Sequence, residues 1–202
     1  MNIFSTRPAS HASRRATLAL AAAFALTGAM ALQPAAAQQL VPAQSEISFV
    51  SKQMGVPVEG HFTQFSAQLS LDPAKPEAGK VSLTVNTGSA TLGVKETDAE
   101  LPKPVWFNVA RFPQATFQSS AIRASGPGKY EVHGTLAIKG ASQQVTVPVA
   151  LAQSGATTTA TGSFAIKRLA FKIGENEWAD TSMVADEVQV KFKLVFTGMA
   201  QL

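Results

Sequence analysis

The feature that most constrains this chain is a two-residue alternation of apolar and polar side chains that recurs through most of its length. Near the C-terminus Val188, Val190, Phe192, Leu194 and Phe196 fall on one parity, and Glu187, Gln189, Lys191, Lys193 and Val195 on the other. Successive side chains of an extended strand point to opposite faces, so this period sends one set to a core and the other to water. The same period returns in Ile47/Phe49, Phe65/Ala67/Leu69/Leu71, Val81/Leu83/Val85, Tyr130/Val132/Gly134/Leu136/Ile138, Val145/Val147/Val149/Leu151 and Phe164/Ile166. Turn signals separate these runs: Asp72-Pro73, Gly126-Pro127-Gly128, Lys139-Gly140 and Ser154-Gly155. One apolar face per strand is the mark of an antiparallel sheet with a core on one side. The chain is therefore read as all-β, with about eight strands and short links, a sandwich or an up-and-down barrel. Gly60, Gly134 and Gly162 sit inside strands, where glycine often marks a bulge or bend, and this favours a curved, closed sheet. Residues 95–108 break the pattern with two prolines; 96–101 are expected to form a short helix, followed by a loop carrying Trp106 and Phe107.

The first 37 residues read as something other than this domain. Arg7, His11, Arg14 and Arg15 make a basic start, 16–32 are apolar and uncharged, and Ala35-Ala36-Ala37 offers small residues for a signal peptidase. Export to the periplasm, or secretion, with cleavage after Ala37 is expected; Ser13-Arg14-Arg15 hints at the twin-arginine route, but the ordinary secretory route fits better. The mature domain would then be 38–202. Three of the seventeen basic side chains and none of the thirteen acidic ones precede Gln38, so the mature chain is nearly neutral. No basic field remains for nucleic acid or an anionic surface. The absence of cysteine excludes disulfides and thiolate metal sites, so packing alone must hold the fold.

Little in the sequence points to catalysis. His61 and His133 belong to distant segments, and neither has a second histidine at ligand spacing, so no metal site is expected. Gly126-Pro127-Gly128-Lys129 is a hairpin turn rather than a phosphate loop. Glu96, Asp98 and Glu100, and again Glu175, Glu177 and Asp180, read as solvated acids. No catalytic residue and no cofactor is assigned. The alternative is an enzyme acting on a lipid head group, with the Glu96/Asp98 loop as acid or base. Ten of the twelve phenylalanines lie beyond residue 37, beside two tryptophans. Such rings bury large apolar areas with no polar group to satisfy. They would either fill an eight-stranded barrel or wall a lumen within it.

Four blocks carry a resemblance to a known family. They are Ser45-x-Ile47-x-Phe49 with Gly60-x-Phe62-x-x-Phe65; Trp106-Phe107-Asn108 with Phe112-Pro113-Gln114-Ala115-Thr116-Phe117-Gln118-Ser119; Gly134-x-Leu136-x-Ile138-x-Gly140; and Arg168-x-x-Phe171 with Ile173-Gly174 and Trp178. In this order, over about residues 40–198, the chain resembles the YceI family of bacterial lipocalin-like proteins. It departs from the usual pattern at Asn108 (Asp in the family), Ser142 (Thr) and Lys172 (often Gly), and Lys172 is expected to alter the mouth of the cavity. The resemblance implies an eight-stranded antiparallel lipocalin-like barrel with a short helix near one end. It also implies a hydrophobic tunnel that carries or sequesters a polyisoprenoid, a quinone-like molecule or another long-chain amphiphile. A secreted scavenger of toxic lipophiles would share that architecture. A membrane cytochrome is a candidate partner, and the oligomeric state stays open, a dimer included. Phe49, Phe62, Phe65, Phe117, Phe164 and Phe171 are expected on the tunnel wall, and Trp106, Phe107, Phe112 and Trp178 near its mouth. Arg168 would meet a polar or anionic head group at the entrance or, equally, serve as a structural arginine at a strand end.

Overall fold

The structure is a computed structural model that describes residues 38–202; the expected leader lies outside the described residues. Eleven strands form one antiparallel sheet: β1 (Gln39–Leu40), β2 (Glu46–Gln53), β3 (Val56–Phe62), β4 (Phe65–Ser70), β5 (Lys80–Asn86), β6 (Ala90–Thr91), β7 (Gln114–Gly126), β8 (Lys129–Ile138), β9 (Ala141–Ser154), β10 (Thr157–Lys167) and β11 (Glu187–Thr197). Three pairs of consecutive strands are two halves of one course. β1 and β2 share the edge of β11, while β3 and β4 both face the β1–β2 course. β5 and β6 in turn both face the β3–β4 course. The eleven pieces thus make eight courses, each hydrogen-bonded to the next, and the first course pairs with the last. The result is a closed eight-stranded barrel, the architecture that the family resemblance implied and one of the two that the alternation left open.

Closure depends on a kink. The 3-10 turn Pro42–Gln44 interrupts the first course between β1 and β2, because proline carries no N–H for a ladder. Ser45 repairs the gap. Its Oγ accepts from Val195 N at 2.9 Å and donates to Val41 O at 2.8 Å, joining residues 150 apart in sequence. At the same seam the Gln38 amide pairs with both main-chain groups of Leu71, donating at 2.6 Å and accepting at 3.0 Å.

The two ends of the barrel differ. At one end lie residues 71–79, the 126–129 and 154–157 links, and both ends of the described chain. At the other lie the Met54-Gly55 turn, residues 92–113, the Lys139-Gly140 turn and residues 168–186. Both two-residue turns have positive φ at each position, 47° and 80°, then 49° and 76°. This matches the left-handed pair that suits the twist of a hairpin. The short helix expected over 96–101 is a single turn, α1 (Lys95–Asp98), at this second end.

The strand glycines make room more than they bend. A Cβ on Gly60 would collide with the Phe49 ring, one on Gly134 with the Phe117 ring, and one on Gly162 with the Phe192 ring. In each case a phenyl group from an adjacent strand fills the space that a side chain at the glycine would need.

Candidate functional site

The barrel is not filled to its centre. A cavity of about 360 Å³ runs along its axis, within the range of roughly 300–1,000 Å³ usual for small-molecule sites. On β11 alone Val188, Val190, Phe192, Leu194 and Phe196 all line it, a reach of about 27 Å at roughly 3.4 Å per residue. One end is sealed by buried Leu71, Tyr130, Leu151 and Phe196. At the other, the lining includes exposed Gln53, Thr97 and Glu100, and the cavity opens there, between the Met54-Gly55 hairpin and α1.

The aromatic wall is mostly where the sequence suggested. Phe49, Phe62, Phe117 and Phe164 face the cavity, as do Trp106, Phe107 and Trp178. Phe62 links two of its neighbours, with ring centroids 5.4 Å from Phe49 and 6.0 Å from Phe107. Trp106 and Trp178 stand 5.5 Å apart, on the two long loops of the open end.

Three expected wall or mouth residues lie elsewhere. Phe65 packs beside the kinked first course and lines a shallow groove with Leu40 and Pro42. Phe112 leans on the β8–β9 turn, where Gly140 leaves it space, and its ring sits 5.4 Å beneath the Arg111 guanidinium. Phe171, in the 3-10 turn Arg168–Phe171, is buried in the packed core and does not reach the void. Sequence reasoning passed over the aliphatic part of the wall, including Leu83, Leu136, Val149 and Ile173. The inward parity of the alternation was the signal for most of these; Ile173, in a loop, had none.

Arg168 borders the cavity yet offers it nothing. It is 2 % exposed, and every guanidinium N–H donates to a main-chain carbonyl. Nε reaches Ala185 O at 3.1 Å, Nη1 reaches Ile173 and Gly174 O at 2.9 and 2.8 Å, and Nη2 reaches Trp178 and Val184 O at 2.6 and 2.7 Å. Arginine has five such donors in all, so none is left for a head group. Burial pushes its pKa below the ordinary value, and Asp186 opposes that shift. A second buried cation does related work. Lys139 Nζ donates to Val105 O at 3.3 Å and to Lys172 O, and meets Glu175 Oε2 at 3.0 Å. Arg168 knits residues 168–186 to one another, and Lys139 ties them to Val105 across the barrel end.

The Glu96/Asp98 loop does not supply a deep acid or base. Neither residue lines the cavity. Asp98 accepts from Leu92 N and from the Thr91 hydroxyl, each at 2.6 Å. The Leu92 bond first, and then the Thr91 bond, hold its carboxyl below the usual range against a smaller opposing effect of desolvation, and His61 adds the least. Its work is to fasten α1 to β6. Lys172 is also off the cavity: its side chain is exposed and its φ is 58°. A left-handed residue there explains why glycine suits the position, and the expected effect on the mouth is not seen. Asn108, with φ 50°, replaces aspartate at little cost, because both residues tolerate that conformation. Among the described residues no group of three or more His, Asp or Glu side chains is disposed to hold a metal ion.

A closed antiparallel barrel of eight strands around an apolar lumen, open at one end, defines a lipocalin-like architecture. The chain belongs to the family described as the YceI-like domain, which it matches over residues 38–196. Burkholderia cenocepacia BcnA, a solved structure, is 51% identical with a TM-score of 0.76, covering 78% of this chain and 99% of that one. A Saccharophagus degradans structure, 17% identical with a TM-score of 0.66, covers 80% of this chain and 98% of its own and shares the fold. The UPF0312 protein of Yersinia pestis (strain Pestoides F) is 36% identical over 110 residues, which are 54% of this chain and 57% of the relative. The chain thus spans a little over half the length of that relative.

Proposed function

We propose that this protein binds a long-chain lipophilic molecule with an uncharged head, isoprenoid or quinone-like, and carries or sequesters it in the periplasm. The observation that carries this reading is the predominantly apolar lining along the barrel axis. A cavity walled by such side chains offers water few hydrogen-bond partners, so a hydrocarbon chain entering it displaces little that is firmly held. Each methylene taken from water contributes about 0.8 kcal/mol before ordering costs. Titratable groups converging deep in a pocket would favour chemistry, whereas Glu100 is the only carboxylate on this lining and it lies at the mouth. The head group follows from charge. Arg168 is the only cation on the lining, and all its donors are committed, so a phosphate would find no partner inside. The S. degradans neighbour is described as a polyisoprenoid binding domain, a chemistry that this wall would suit. The leader-like residues 1–37 support an exported location.

Solvent extraction of the purified protein, read by mass spectrometry, tests the proposal. The expected result is a neutral long-chain molecule at near-equimolar amount. An extract containing only short polar metabolites, or nothing, refutes it.

A further inference from the structure

Five large apolar side chains are conspicuously exposed among the described residues, and four of them crowd the open end. They are Met54 at 67%, Val56 at 63%, Val94 at 50% and Met183 at 42%. Single exposed apolar residues need no explanation, but these stand on three neighbouring loop tips. Met54 N donates to Met183 O at 2.8 Å, and Gln53 bridges to Val184, so the first hairpin and the 180–186 loop form one wall of the mouth. Val94 stands opposite, as the cap of α1, and α1 carries Thr97 into the cavity lining. None of the four contributes to that lining; they surround the opening from outside.

We infer that this rim docks the open end of the barrel on a phospholipid bilayer, so that the ligand passes between membrane and lumen without crossing water. The inference rests on the binding function proposed above. Three features select a bilayer. The patch borders the opening itself, and a protein seated across it would plug the passage. Its members are projecting loop tips with no aromatic or arginine anchor of the kind that dominates protein interfaces. Exposed Lys52 and Lys95 flank Met54 and Val94, where long ammonium side chains can reach lipid phosphates while the tips enter the interface. The acids nearby are largely occupied. Glu100 pairs with Lys103 at 2.6 Å, Glu59 faces Lys191 at 4.0 Å, and Asp180 accepts from Ser182. Glu96 and Glu177, both exposed at this end, have no such contact.

The test compares the protein with a variant carrying Met54→Ser, Val56→Ser, Val94→Ser and Met183→Ser. The probe is a fluorescent long-chain alcohol, offered from phosphatidylethanolamine/phosphatidylglycerol vesicles or, separately, from dilute detergent. The expected result is a transfer rate from vesicles that rises with vesicle concentration in the unaltered protein. In the variant that rate falls on the order of ten-fold, while uptake from detergent is unchanged. Equal vesicle rates overturn the inference, as does a rate in the unaltered protein that ignores vesicle concentration. A change in sedimentation mass without a change in vesicle transfer also overturns it, and assigns the rim to a second copy of the chain. If the unaltered protein takes no probe from detergent, the binding function fails and the docking with it. Should the fourfold variant misfold by circular dichroism, the pairs Met54→Ser/Val56→Ser and Val94→Ser/Met183→Ser are each expected to slow transfer, and normal rates in both overturn the inference.

Discussion

The ring of Phe49 occupies the space that a side chain on Gly60, its cross-strand partner in the β2–β3 hairpin, would need. A methyl group at Gly60 would also strike Leu92 and the Thr91 carbonyl oxygen, so the site has no slack. Gly60→Ala should therefore cost about 1–3 kcal/mol through overpacking and push the Phe49 ring inward. A lowered urea midpoint together with a smaller bound molecule is the expected outcome.

Leu136 faces the cavity from β8. Leu136→Trp should obstruct the lumen part way along, at a stability cost of about 1–3 kcal/mol. Extracted ligand should be shorter or absent. An unchanged extract from folded variant would place the ligand elsewhere.

The saturated guanidinium of Arg168 separates a structural from a recognition role. Arg168→Lys replaces five planar donors by three on a flexible stem and leaves buried carbonyls unpaired, a loss of about 3 kcal/mol. Chemical denaturation should show that loss, while the head-group preference of the folded fraction stays as it was. A changed preference at unchanged stability would give the side chain back its ligand.

Asp98 latches α1, and its pH dependence has a definite sign. Its carboxyl titrates lower in the folded protein than in the unfolded chain, so the latch is fully present above the ordinary aspartate value of about 3.9. It is lost as pH falls through the lowered one. Amide exchange in residues 92–98, corrected for intrinsic rates, should be steady from neutral pH down to about pH 5 and accelerate only in stronger acid. Asp98→Ala should show the accelerated exchange at every pH.

Much of the fold was legible in the sequence, and the aromatic site less so. The alternation around Val188 and Phe196 announced strands with one apolar face, because side-chain parity is a local consequence of extended backbone. Phe65 and Phe171 obey the same local rule of apolarity, yet one packs at the kinked seam and the other in a 3-10 turn. Period encodes the inward face of Phe65 but not its place at the seam, and it encodes nothing for Phe171.

Lys172 shows the same division at a single residue. Its departure from glycine reads in the sequence as a change at the mouth; in the structure the position is left-handed and the side chain points to solvent. Lys172→Gly should relieve a conformational cost of roughly 1–2 kcal/mol and raise Tm by about 2–4 °C per kcal/mol. Ligand loading should not change.

By itself the sequence determined which residues are extended, which face of each strand is apolar, where the chain turns and that no thiol chemistry is present. These follow from backbone stereochemistry and residue type over a few neighbours. Only the tertiary structure decided that the sheet closes through Ser45 and Val195, that phenyl rings lie on glycines and leave the axis empty, and that Arg168 spends every donor on its own main chain. Those outcomes depend on how distant segments share volume and hydrogen-bonding groups, and a one-dimensional pattern does not contain that information.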